Sequence, residues 1–192
     1  MIRTRIARTL LAFASTVAIG FAGELAAQQQ PVASPRDTAR MEAAGATVLV
    51  DYGRPYMRGR KIMGGLVPYG KVWRTGANAA TTLVTEADLR IGDTEVPKGT
   101  YTLYTLPTAE GWHLIVNRQT GQWGTQYDPA QDLARIPMRV TRLRRPVEQF
   151  TIALEPGKGG PGEMVLTWEN TRASVPLTVK RGDPAHTGHR HR

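Results

Sequence analysis

The chain contains no cysteine in its 192 residues. That absence removes disulfides, thiolate zinc sites, cysteine nucleophiles and iron–sulfur clusters, all of which need the sulfur. Stability must then come from packing. Serine and histidine are scarce where catalysis would need them. Beyond residue 27 the serines are Ser34 and Ser174, neither in a G-x-S-x-G elbow, and His113 is the one histidine before the C-terminal tail. A Ser-His-Asp hydrolase is therefore not expected. No G-x-x-x-x-G-K-[ST] phosphate loop occurs, and no cofactor is expected. Long apolar runs are also missing: the longest, LLAFASTVAIGFAG, is shorter than the about 20 residues a membrane-spanning helix needs.

That run has a grammar of its own. Arg3, Arg5 and Arg8 precede it and the small-residue segment ELAAQ follows, which together read as a secretory signal peptide over residues 1–27, cleaved after Ala27. The protein is accordingly expected to be exported, to the periplasm or beyond the cell, with no transmembrane segment after cleavage. The formal net charge is +9, and the leader holds three arginines against one glutamate, so the remainder stays basic at about +7. Part of this sits in the tail KRGDPAHTGHRHR; residues 181–192 read as a disordered, basic, histidine-containing end, where adventitious metal binding is expected and a built metal site is not.

With 41% hydrophobic and 21% charged residues, the chain can bury one ordinary core. Residues 28–45 are polar and read as a flexible lead-in; the domain is expected over 46–180. There, short runs rich in Val, Thr, Leu and Tyr recur between turn signals: TVLVDY, TTLVTE, DLRIG, TYTLYTL, WHLIVN, MRVTRL, VEQFTIAL, MVLTWE and VPLTV. Phe150, Ile152 and Leu154 alternate with polar or small neighbours, as do Met164, Leu166 and Trp168, so one face of each strand is buried. One helical turn is signalled by Asp128 as a cap and Pro129 at the first position. The fold class is all-β: a single antiparallel β-sandwich or jelly-roll-like domain with one short helical turn.

The segments SPRDTA, DYGRPYMRGRKIMGGLVPYGKVWRTGANAATTL, VPKGTYTLYTLP, LIVNRQTGQWGTQYD and PVEQFTI resemble an exported bacterial family known as domain of unknown function 2911. The likeness runs from about Ser34 to Val179. It brings no assigned reaction or ligand, so it transfers no catalytic residue to this chain.

Candidate chemistry must come from the residues themselves. From Arg54 to Thr85 stand Arg54, Arg58, Arg60, Lys61, Lys71 and Arg74, with no carboxylate until Glu86. Guanidinium forks match carboxylates, sulfates and phosphates, and Tyr56, Tyr69 and Trp73 can stack on a ring. The plainer reading pairs these cations with Asp51, Glu86, Asp88, Asp128 or Asp132, holding a long loop against the sheet. Trp123, between Gly121 and Gly124, suits a carbohydrate platform, though a hydrophobic plug at one end of the sandwich is the expected role. His113 is expected to be a strand residue with a satisfied ring.

The candidate ligand contacts are Arg54, Arg58, Arg60, Tyr69, Trp73, Arg74, Asn78, Trp123 and Tyr127, brought together where the basic loop meets the Trp123 loop. The partner expected is an anionic or carbohydrate ligand of the cell envelope, not nucleic acid. The alternative is a hydrolase of envelope polysaccharide using Asp51, Asp128 or Asp132 with Arg74 as charge stabiliser; the pairs Glu86/Asp88 and Asp128/Asp132 are its other acid–base candidates. The arginine series Arg135, Arg139, Arg142, Arg144 and Arg145 reads first as a solvated strand face.

Overall fold

The computed structural model of the chain describes residues 33–158 and 160–180. The signal peptide read in residues 1–27 and the basic tail read in residues 181–192 lie outside the described residues. The described residues form nine strands: β1 (Arg36–Ala43), β2 (Ala46–Gly53), β3 (Thr81–Thr85), β4 (Leu89–Ile91), β5 (Thr94–Val96), β6 (Gly99–Pro107), β7 (Trp112–Asn117), β8 (Asp132–Glu155) and β9 (Gly162–Val179). One 3₁₀ turn, Pro129–Gln131, precedes β8. The Asp128 side chain caps it by accepting from the Ala130 N–H at 2.9 Å, as the Asp-Pro signal anticipates.

The hydrogen-bonded order is β1-β2-β3-β6-β7-β8-β9-β4-β5, antiparallel throughout. This sheet folds over on itself. The Tyr52 hydroxyl on β2 donates to the Ile152 carbonyl of β8 at 3.2 Å and accepts from the Ile152 N–H at 3.0 Å, although three strands separate β2 from β8 in the order. The fold is thus all-β, with β1, β2, β3, β6 and β7 in one layer and β9, β4 and β5 in the other.

Strand β8 belongs to both layers. Its first residues, Asp132–Met138, pair with β7, and its remainder pairs with β9. Val48, Val50, Leu83, Leu103, Leu114 and Val116 from the first layer and Leu89, Ile91, Met164 and Leu177 from the second are buried in one core. Each contributes about 1.5–3 kcal/mol by leaving water. The alternation expected at Phe150, Ile152 and Leu154 and at Met164, Leu166 and Trp168 is present, with all six buried.

Two features depart from the sequence expectation. MRVTRL and VEQFTIAL form one strand rather than two, as do MVLTWE and VPLTV. Irregular register at Arg142/Val147 and Val147/Thr151 lets β8 bend without ending, and Pro146 falls in that irregular stretch, where no ladder bond is lost. Secondly, β1 lies within the lead-in read over 28–45. Its outward face is polar and its inward face is Ala39, Met41 and Ala43, of which only Met41 is fully buried, so its apolar alternation is short and carried mostly by small residues. It is joined to β2 by Ala44 and Gly45, both at positive φ (52° and 79°), a two-residue turn whose twist suits a hairpin.

Candidate functional site

Between β2 and β3 the chain makes a long excursion that crosses one end of the sandwich. It leaves β2 at Gly53 and pairs briefly with the second-layer part of β8: Met57 N–H donates to the Glu148 carbonyl and Phe150 N–H to the Pro55 carbonyl. It then turns through residues 60–72 and returns to β6, where Trp73 and Thr105 exchange main-chain bonds of 2.8 and 2.9 Å. Finally Gly124 N–H donates to the Asn78 carbonyl and Ala80 N–H to that of Gln122, seating the Trp123 loop against the end of the excursion. The basic loop and the Trp123 loop meet.

Buried polar groups hold this path. Thr75, fully buried, keeps φ at 52°, an unusual conformation for a β-branched residue. Its hydroxyl bonds that of Thr105 at 3.2 Å, and its carbonyl accepts from Thr81 at 2.8 Å. Asn78 also has positive φ, 64°. Strain of this kind persists where surroundings impose it, and it is enriched at ligand sites.

The excursion and the Trp123 loop enclose a cleft of about 620 Å³. Trp73 and Tyr127, both half-buried, give it ring surface, with the buried Trp168 and Tyr104 behind them; Arg60, Lys71 and Arg74 give it charge; Asn78, Gly124 and Thr125 close one side. No Asp or Glu among the described residues lines it. Trp73 stacks on Trp168 with centroids 5.7 Å apart and planes 22° apart, and meets Phe150 edge-on at 5.0 Å, so its indole is fixed by the core. Arg60 is held by its own turn, Nε donating to the Met57 carbonyl and Nη2 to that of Tyr56. Arg74 Nε donates to the Gly76 carbonyl at 3.3 Å. Neither Arg60, Lys71 nor Arg74 forms an ion pair among the described residues. Cations placed in a concavity without acids raise the local concentration of anions.

Tyr127 is fixed from behind. Its hydroxyl donates to Asp132 Oδ2 at 2.6 Å and accepts from Arg135 at 2.9 Å, while its ring meets Tyr104 edge-on at 4.8 Å. Burial, followed by the hydrogen bond to Asp132, pushes its phenol up to about 12.

Of the candidate contacts, Arg60, Trp73, Arg74, Asn78 and Tyr127 line the cleft. Four do not. Arg54 pairs with Asp37 at 2.8 Å and also donates to Thr151 and the Phe150 carbonyl, tying β1 to β8. Arg58 lies over the Tyr56 ring at 6.0 Å. Tyr69 faces a second groove. Trp123 is 53% exposed, which overturns the plug expectation: the Ala79 bridge and Gly124 hold its backbone down while the indole points out. Lys71, Tyr104 and Trp168 also line the cleft, beyond the contacts that the sequence suggests. Lys71 was visible as a cation, whereas the strand alternation of Trp168 marks only core.

None of the ion pairs expected of the basic loop forms among the described residues: Arg54 goes instead to Asp37, while Asp51 goes to Arg36, Asp132 to Arg135 and Asp128 to its cap. Glu86 accepts from the Thr47 N–H at 2.9 Å, which lowers its carboxyl below the ordinary value, and Asp88 accepts from the Lys98 N–H. Every carboxylate proposed for hydrolysis is engaged in holding the scaffold. His113 sits on β7, but its Nδ1 is buried without a partner among the described residues, so the ring is not fully satisfied.

No match is found among the curated proteins or the solved structures. Residues 34–177, which include β1 to β8, all but the last two residues of β9 and both loops of the cleft, match the model of the family described as protein of unknown function, DUF2911, and the chain belongs to that family.

Proposed function

We propose that the protein is an exported, non-catalytic module of the cell envelope that binds an anionic or glycan ligand in the cleft. The observation carrying this reading is a concavity of about 620 Å³ lined, among the described residues, by three cations, by the half-buried rings of Trp73 and Tyr127, and by no carboxylate. A charged ligand group would take the free N–H donors of Arg60 and Arg74 and the Lys71 ammonium, and its apolar face would lie on Trp73 or Tyr127. Export rests on the leader read in residues 1–27. The hydrolase alternative lacks an acid in the cleft, so no observation favours it.

Calorimetry with a panel of uronic acids, sugar phosphates, sulfated sugars and neutral sugars tests the proposal. At least one charged compound should bind wild type on the order of tenfold more tightly than the Arg60→Ala, Arg74→Ala double variant. If none does, the reading is abandoned.

A further inference from the structure

We infer that the ligand is a linear polyanion, an acidic polysaccharide whose charged groups repeat along its length, and that it runs from the cleft over the 60–72 turn into a second groove. This rests on the reading of the cleft as an anion site. The second groove, of about 410 Å³, lies between the same turn and the β8–β9 ribbon. The two concavities share a wall one residue thick: Arg60 and Pro68 face the first, while their chain neighbours Lys61 and Tyr69 face the second.

The second groove repeats the chemistry of the first. Lys61 and Arg142 supply charge and make no ion pair among the described residues. Glu169 is its one carboxylate among the described residues, and both its oxygens are taken, by the main-chain N–H groups of Ile62 and Met63 at 3.2 and 3.1 Å. Past Arg142, the exposed Arg144 and Arg145 continue the cationic track along β8.

Apolar surface follows the same path. Five large hydrophobic side chains are exposed among the described residues, and three of them, Leu66, Tyr69 and Val140, line one groove or the other. Sugar rings present C–H faces to such surfaces and carboxylates or sulfates to the cations beside them. A flat bilayer would reach convex points, whereas these cations line concave walls, which a flexible chain can enter. One chain engaging both grooves gains from effective concentration, with no new contact at either.

The test uses the purified protein with mono-, di-, tetra- and octamers of galacturonate and the matching series of sulfated glucose. Phosphatidylglycerol vesicles form a separate arm. Affinity should rise at least on the order of tenfold from monomer to octamer in one series. Arg142→Glu should remove most of that gain while leaving monomer affinity within about twofold, since its side chain lies outside the cleft and its exposure spares the fold. Arg74→Ala should weaken monomer and octamer alike. Length-independent affinity, or an Arg142→Glu variant that binds octamer as wild type does, overturns the polyanion inference and leaves the cleft reading standing. Preference for vesicles over both series also overturns it. Failure of every monomer and oligomer to bind removes the cleft reading as well.

Discussion

A Cβ placed on Gly124 would come within 2.8 Å of the Asn78 main-chain oxygen and 2.9 Å of Arg74 Cδ. The Trp123 loop therefore seats against the excursion only with glycine there. Gly124→Ala should lower stability by about 1–3 kcal/mol, read by denaturant unfolding, and weaken ligand binding in the cleft. Gly111→Ala, with nothing within 4 Å, should change stability by less than about 0.5 kcal/mol. Tyr127 gives a second readout at this scale. Its pKa is raised from 10.0 to about 12, so the neutral phenol is favoured in the folded state. The stability tied to it is fully present below pH 10 and is lost as pH rises through about 12. Carbon-13 NMR of labelled tyrosine Cζ should show this late titration, and Asp132→Asn should bring it down by removing the hydrogen-bonded charge. Residue types at the site were readable in the sequence, but roles were not. Arg54 and Arg60 look alike as letters; one ties down β1 and the other lines the cleft, because only three-dimensional proximity to Asp37 separates them.

At the scale of elements, the 60–72 turn is held by Glu169 of β9, whose carboxylate receives the Ile62 and Met63 N–H groups. Hydrogen bonds to a charged acceptor each contribute about 1.5–3 kcal/mol. Glu169→Ala removes both and should therefore cost roughly 3–6 kcal/mol by that measure, with faster amide exchange at Ile62 and Met63 as the local signature. Alanine inherits the same positive φ of 52°, so the comparison isolates the carboxylate. Strands with two-residue alternation, such as Phe150–Leu154, could be read in advance because burial of one face writes that period into the sequence. Strand β1 could not. Its outward residues are charged, and its hairpin uses Ala-Gly where Asn-Gly or Asp-Gly would have announced the turn. The merging of four expected strands into β8 and β9 was hidden for a related reason: bulges and a proline look like strand ends when the partner is unknown.

Across the whole molecule, the ring cluster of Trp73, Phe150, Trp168 and Tyr52 joins the cleft to the core. Trp168 is 1% exposed and carries both roles, packing between layers and lining the site. Trp168→Ala should remove about 3–5 kcal/mol, a large part of the stability of a domain with no cross-links, and lower the thermal midpoint accordingly. Fold class was legible because an all-β rhythm needs only local periodicity. The cleft was legible as a meeting of two loops and its lining only in part, since Trp168 and Tyr104 arrive from strands whose sequence announces only burial.

The continuity of β8 through both layers has a bearing on how such a chain can change by descent. A residue gained or lost within Asp132–Met138 or Thr151–Glu155 would turn every following side chain to the opposite face in one layer or the other. The irregular stretch between Arg142 and Val147 already carries surplus residues without a strand partner, so length variation among descendants should collect there, beside the groove that Arg142 lines.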